Sequence, residues 1–213
     1  PEVTIYQNDI SPQCRTVLMV IKELGQNVTY LRIFKSVKME FKFLLVSNFV
    51  YQMNPLHTIP VMEERGFILT DSHAIACFII DDLSYFDYSL YPKHLEIRAL
   101  VNQYLMFEAA TLFPLRIIDI YWRESRERNE RAYSYLDKIL EGKKWLVGKS
   151  YTLADICCVT VASSISILMD MDQYPNVKAW MKSCEDEISS YNEINVPGLK
   201  KLHALLRSAL PSS

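Results

Sequence analysis

Four places in this 213-residue sequence carry side chains whose types and spacing could do chemistry. The first is Ser11-Pro12-Gln13-Cys14-Arg15. A serine followed by proline suits a helix N-terminus, where the free N–H groups and the dipole favour an anion. The second is His57-Thr58-Ile59-Pro60, an imidazole beside an X-Pro bend that enters an apolar run. The third is Asp71-Ser72-His73, which places an acid, a hydroxyl and an imidazole ahead of the apolar run Ala74 to Ile80. The fourth is a stripe of Phe113, Arg116, Ile117 and Tyr121, at offsets that share one helical face. Arg116 there is costly to bury without a partner, and Pro114 inside the pattern should bend the helix. Each place also has a plain structural reading: a cap, a bend, a second cap and a core stripe.

Other chemistries lack their residues. The five cysteines, Cys14, Cys77, Cys157, Cys158 and Cys184, are odd in number and form no C-x-x-C pair. That argues against a disulfide framework or zinc site and for a reducing compartment. Cys14, one turn into its helix, reads as packing. The histidines, His57, His73, His94 and His203, show no metal-ligand spacing. Only 5 glycines occur, all far apart, against the roughly 7% of average proteins. No phosphate-cradling loop can be built from them. A net charge of −2 argues against nucleic acid as a partner. No signal peptide is visible, and the longest apolar stretch, Ile156 to Met169, is too short and too rich in Ser and Thr for a membrane span.

The elements that must position these residues change character near residue 85. Val3 to Tyr6 reads as a strand. Ser11-Pro12 opens a helix with Val17, Leu18, Ile21 and Leu24 at helical spacing, and Gly25 suits its C-terminal end. Val28 to Ile33 returns to strand, which makes a βαβ unit with parallel strands. Ile59 to Met62 and Phe67 to Thr70 flank a turn containing Gly66 and read as a hairpin. Asp71-Ser72 then caps the helix beginning at Ala74. Beyond residue 91 the pattern is helical throughout: Leu95 to Trp122, Arg126 to Leu140, Leu153 to Met169, Val177 to Ser183 and Leu199 to Leu210. Thr152-Leu153-Ala154-Asp155 is a capping-box signal. The expected fold is a βαβ-α-ββα domain over residues 1–83 and an all-helical domain over 91–213, with the stretch around 82–92 as linker.

In order and spacing, Ser11 to Arg15, Asn54 to Pro60, Asp71 to Ile75, Leu90-Tyr91-Pro92, Arg98 to Gln103 and Thr152 to Ile156 resemble the cytosolic glutathione transferases, most closely the insect delta and epsilon classes. The resemblance covers nearly the whole chain. It implies a thioredoxin-like first domain that binds glutathione and a helical second domain that supplies an apolar pocket. The implied enzyme conjugates reduced glutathione, a co-substrate, to hydrophobic electrophiles in xenobiotic detoxification, with no other cofactor and no metal. It further implies a cytoplasmic homodimer that engages no membrane. Ser11 would stabilise the glutathione thiolate. A thiol of pKa about 8.5 is roughly 3% ionised at pH 7, and lowering it by about two units takes about 2.7 kcal/mol. Ile59, expected before a cis proline, and Thr58 would meet the cysteinyl unit, and His57 the glycyl end. Asp71, Ser72 and His73 would hold the γ-glutamyl end, the acid facing its ammonium and the helix start its carboxylate. Pro12, Phe113, Arg116, Ile117 and Tyr121 would line the electrophile pocket, with Leu206 and Leu210 closing it.

The chain departs from these relatives in two places. Many have Glu and Arg where it has Asp71 and His73, and a titratable imidazole there makes binding pH-dependent. Between Phe34 and Gln52 the usual histidine and Pro-Glu-Phe are missing, which leaves Lys35, Lys38 or Lys42 as substitutes on the glycyl carboxylate. The Leu69 to Ile75 string also resembles an insect subgroup linked to steroid-hormone production. A steroid- or lipid-binding protein on the same fold, with weak conjugating activity, is therefore the second reading.

Overall fold

The computed structural model describes residues 3–26, 28–32, 48–83, 89–113 and 123–209. Strand β1 (Val3–Gln7) leads into helix α1 (Pro12–Glu23), strand β2 (Thr29–Arg32) and helix α2 (Asn48–Met53), then β3 (Val61–Glu64), β4 (Phe67–Thr70) and α3 (Ser72–Leu83). The sheet runs β2-β1-β3-β4. β1 and β2 are parallel, joined by the α1 crossover, while β3 runs antiparallel to β1 and pairs with β4, Val61 opposite Thr70. The hairpin turn is Arg65-Gly66, both at positive φ (49° and 83°), the twist that a two-residue connection between right-twisted strands requires.

Sequence and structure agree closely here. Ser11 caps α1 by accepting from the Cys14 N–H, and Pro12 occupies the first turn, where its missing N–H costs nothing. Val17, Val20 and Ile21 of α1, all fully buried, share one core cluster with Val3 and Ile5 of β1 and Met62 of β3. The helix also meets α3 and α6, so α1 lies at the centre of the molecule.

The helices are α4 (Leu95–Phe107), α5 (Arg123–Ile139), α6 (Leu153–Ile165), α7 (Pro175–Glu187) and α8 (Val196–Ala209). Two expectations need correction. The helix read over Leu95 to Trp122 keeps α-helical hydrogen bonding only to Phe107, and Glu108–Leu112 forms a wider π-helical turn closed by Phe113 N–H to Glu108 C=O at 2.7 Å. The helix read over Leu153 to Met169 ends at Ile165 and tightens into a 3₁₀ turn over Ser166–Leu168, with the Ser166 hydroxyl donating to the Ser163 carbonyl. α6 is buried on every side, and its capping box forms. The Asp155 carboxylate accepts from Thr152 N–H (2.9 Å), Leu146 N–H (2.9 Å) and Trp180 Nε1–H (2.9 Å), tying α6 to α7 and to the loop before it. No helix among the described residues is long and apolar enough to cross a membrane.

Candidate active site

A cleft of about 350 Å³ opens between the sheet half and the turn that follows α4. Ser11, Gln13, His57, Thr58, Ile59, Pro60, Asp71, Ser72, His73, Glu108, Ala109 and Phe113 line it. Four short segments distant in sequence therefore converge on one space, and each is shaped locally.

Ser11 sits at the N-terminus of α1, its Oγ accepting from Cys14 N–H at 3.4 Å and donating to Gln13 Oε1 at 3.3 Å. Both bonds are long for their type, so the hydroxyl is held loosely. The loop before it is pinned from behind by Arg15, which is 0% exposed. Its Nη1 donates to the carbonyls of Asp9 (3.1 Å) and Ile10 (2.9 Å), its Nε to Asn195 Oδ1 (2.8 Å), and its Nη2 to the Thr160 carbonyl (3.2 Å) and Ser164 Oγ. Burial lowers its pKa to about 10 and leaves it charged at neutral pH. Cys14, the neighbouring thiol, is fully buried and accepts from Asn8 N–H at 3.5 Å. Burial pushes it up to about 11, far from the thiolate a nucleophile needs.

On the second segment the Ile59–Pro60 peptide is cis, and Ile59 lies two residues ahead of the first β3–β4 pair. Asn54 braces the bend through Nδ2, which donates to the Thr58 carbonyl (2.8 Å) and to Thr58 Oγ1 (2.9 Å). His57 is exposed at φ 60°. On the third segment Asp71 has φ 76°, and its carboxylate accepts from His73 N–H (2.9 Å) and Ala74 N–H (3.1 Å). Ser72 is buried beside it. Of the three non-glycine residues described at positive φ, two, His57 and Asp71, line this cleft, a placement typical of functional sites.

His73 does not present its ring as a free surface group. It is 8% exposed, and its Nε2 lies 2.8 Å from Glu108 Oε2, while Nδ1 is 3.7 Å from Asp71 Oδ1. Burial opposes the charge, but the Cys157 side chain and the Asp71 and Glu108 carboxylates outweigh it and hold the imidazole protonated well above its ordinary range. Burial itself raises the Cys157 thiol to about 11, so near neutral pH the carboxylates carry the effect. Glu108, 2% exposed, has its pKa raised by burial and opposed by His73. The pair bridges α3 and the π-helical turn across the floor of the cleft.

Ser11, His57, Thr58, Ile59, Asp71, Ser72, His73 and Phe113 thus share one cavity. Pro12 is buried in the first turn of α1 rather than lining the cleft, and among the described residues Leu206 does not line it either. Arg116, Ile117 and Tyr121, with Pro114, Leu210 and Lys35, Lys38 and Lys42, lie outside the described residues. Sequence reasoning missed Glu108 and Gln13. An acid inside the apolar run Leu105 to Leu112 was the available signal for Glu108.

Residues 10–82 match a family model described as the glutathione S-transferase N-terminal domain, and residues 113–187 one described as the C-terminal domain of the same family. The chain is 31% identical to glutathione S-transferase D7 of Anopheles gambiae, covering 97% of each. It is 34% identical to glutathione S-transferase 1 of Manduca sexta, covering 98% of this chain and 99% of that one. Among solved structures, an epsilon-class glutathione S-transferase from the housefly Musca domestica superposes with a TM-score of 0.86 at 29% identity over the full length of both chains. The unclassified glutathione S-transferase 2 of Bombyx mori gives 0.86 at 25% identity, again over both full lengths.

Proposed function

The chain belongs to the glutathione S-transferase family, and on that premise we propose how its cleft conjugates glutathione to electrophiles. Ser11 donates its hydroxyl hydrogen to the glutathione sulfur and, with the N–H groups of the first turn of α1, favours the thiolate over the thiol. Ile59, at the cis-proline bend, offers its backbone to the cysteinyl unit, Thr58 flanks it, and His57 reaches toward the glycyl end. The start of α3 and the Ser72 hydroxyl receive the γ-glutamyl carboxylate. Asp71 receives the ammonium, and His73, locked to Glu108, supplies positive charge beneath the carboxylate. Phe113 forms an apolar wall for the electrophile.

One observation carries this reading: Ser11 at one helix start, the cis Ile59–Pro60 bend and Asp71-Ser72 at a second helix start face the same 350 Å³ space. The thiol that reacts comes from the substrate; the chain's own five cysteines are free and, except Cys77, buried. The enzyme's contribution is thiolate stabilisation, proximity and a partly desolvated site. Ser11→Ala keeps the circular dichroism spectrum and measurable glutathione binding by calorimetry. Its conjugation of a chloronitroaromatic at pH 7 drops on the order of tenfold or more, the cost of returning the bound thiol toward its free pKa. Full activity in that variant rejects the assignment.

The domain boundaries remain 1–83 and 91–213 in this reading, and the enzyme works as a cytoplasmic homodimer. Exposed Phe67 and Ile68 on β4 and Leu95, Leu100 and Met106 on α4 offer the apolar surface such a dimer would cover.

A further inference from the structure

Gln13 lines the same cleft as Ser11, two residues along and half-buried. Its amide is used on one side only. Oε1 accepts the Ser11 hydroxyl at 3.3 Å, while Nε2 is screened from water and has no hydrogen-bond partner. A buried N–H donor without an acceptor is unfavourable, and the Ser11 bond is longer than the 2.7–2.8 Å usual for O–H···O. This arrangement has a consequence for the thiolate. A hydroxyl has one hydrogen, and Ser11 places it on Gln13 here, so it cannot at the same time be on sulfur. When Ser11 turns its hydrogen to a bound thiolate, Gln13 Oε1 loses its donor and Ser11 Oγ keeps a free lone pair facing the amide. A half-turn about the last side-chain torsion of Gln13, which is broad and nearly two-fold, exchanges Oε1 for Nε2 and satisfies that lone pair.

We propose that Gln13 is a positioning residue for Ser11: its Oε1 accepts the hydroxyl as seen here, and against a bound thiolate it donates from Nε2 to Ser11 Oγ so that the hydroxyl hydrogen lies on sulfur. The chain Nε2–H to Oγ–H to S⁻ is cooperative, because a hydroxyl that accepts one hydrogen bond donates a stronger one. No bond to glutathione is made or broken in this step. The thiol proton has already gone to solvent, and Gln13 exchanges partners with Ser11 alone. The inference rests on the Ser11 reading above, and its test separates the two.

The measurement is the ultraviolet thiolate absorbance of glutathione bound to the full-length protein, titrated with pH, alongside the pH profile of kcat/KM for a chloronitroaromatic. Five proteins are compared: wild type, Gln13→Ala, Gln13→Glu, and Ser11→Ala with and without Gln13→Ala. The other ionisable groups on the cleft wall, His57, Asp71, His73 and Glu108, are common to all, as is Cys14 behind it. Gln13→Ala raises the bound thiol pKa by about half a unit to one unit and lowers kcat/KM below that pKa about threefold to tenfold, the worth of one neutral hydrogen bond. Gln13→Glu raises it further, since a carboxylate can only accept and retains the Ser11 hydrogen. In the Ser11→Ala background Gln13→Ala changes nothing more, because the amide acts through the hydroxyl. A bound thiol pKa that falls or stays fixed in Gln13→Ala, while Ser11→Ala raises it, overturns the Gln13 role and leaves the Ser11 reading standing. If Ser11→Ala leaves the pKa fixed as well, both are overturned.

Discussion

His73 shows how one side chain changes meaning between sequence and structure. From the sequence it was a titratable imidazole facing ligand; in the folded chain its Nε2 meets Glu108 at 2.8 Å and its charge is structural. Its proton is held well above the ordinary imidazole range, so above about pH 6.5 the folded chain binds a proton that the unfolded chain does not. The stability this contributes is fully present below about pH 6.5 and declines as pH rises toward the folded value. Denaturant midpoints measured from pH 6 to 9 should therefore fall with pH in the wild type and flatten in His73→Gln, which keeps a donor but not the charge. At pH 6 that variant should lose up to about 3 kcal/mol, because Glu108 is left buried without its counter-charge. Activity profiles should show no inflection near pH 6.5 from His73. Ser11 was legible because capping and anion binding ask for the same residue at the same place. Glu108 was not, because its partner lies 35 positions away and only the fold brings them together.

Elements were read best where a local rule fixes them. Ser11-Pro12 marked the start of α1 and Gly66 the hairpin, and β4 falls over Phe67–Thr70 as the apolar run beside the turn required. The π-helical turn over Glu108–Leu112 could not be read this way, since apolar spacing along a helix is blind to one extra backbone residue in a turn. That turn nonetheless carries Glu108 and Ala109 into the cleft. The start of α8 is equally hidden. A side chain at Gly198 would put its Cβ 2.2 Å from the Asp9 carbonyl and 2.5 Å from Arg15 Cδ, so α8 must approach the Ser11 loop with no side chain there. Gly198→Ala should force the two apart by close to an ångström, since a Cβ 2.2 Å from a backbone oxygen is far inside any real contact, and destabilise the protein by about 1–3 kcal/mol, which for this length lowers Tm by roughly 2–12 °C. Because Asp9 and Ile10 precede Ser11, conjugation should fall in parallel. A variant with normal Tm and normal activity would show that α8 is not held there.

At the scale of the molecule, α1 is the common wall of both halves, and this was legible only in part. Composition and pattern announced a mixed sheet followed by helices, but not that a guanidinium would be sealed between them. The exposed apolar faces of β4 and α4 bear on assembly: Leu95, Ala99 and Met106 fall within roughly 40° of one another around α4. Sedimentation equilibrium should give twice the 24.8 kDa of one chain. Met106→Glu with Leu95→Glu should shift it toward the monomer, and an unchanged mass would place the interface elsewhere. Asp155, buried with acceptor bonds to Thr152, Leu146 and Trp180, should be among the costliest positions to replace. Asp155→Ala leaves three buried donors unpaired, each about 1–3 kcal/mol, and should express as misfolded protein by proteolysis.

Arg15 also limits how far the two halves are interchangeable parts. Its fork is filled from behind by Asn195, the Thr160 carbonyl and Ser164, all from the helical half, and from the front by the carbonyls that precede Ser11. A chimera that joins this sheet half to a foreign helical half inherits a desolvated cation with three of its five acceptors gone, and grafting succeeds only if Asn195, Ser164 and the bare backbone at Gly198 travel with it. On the proposed function, substrate range is thus altered by exchanging side chains around Phe113, while domain shuffling is opposed by Arg15, which lies outside the cleft.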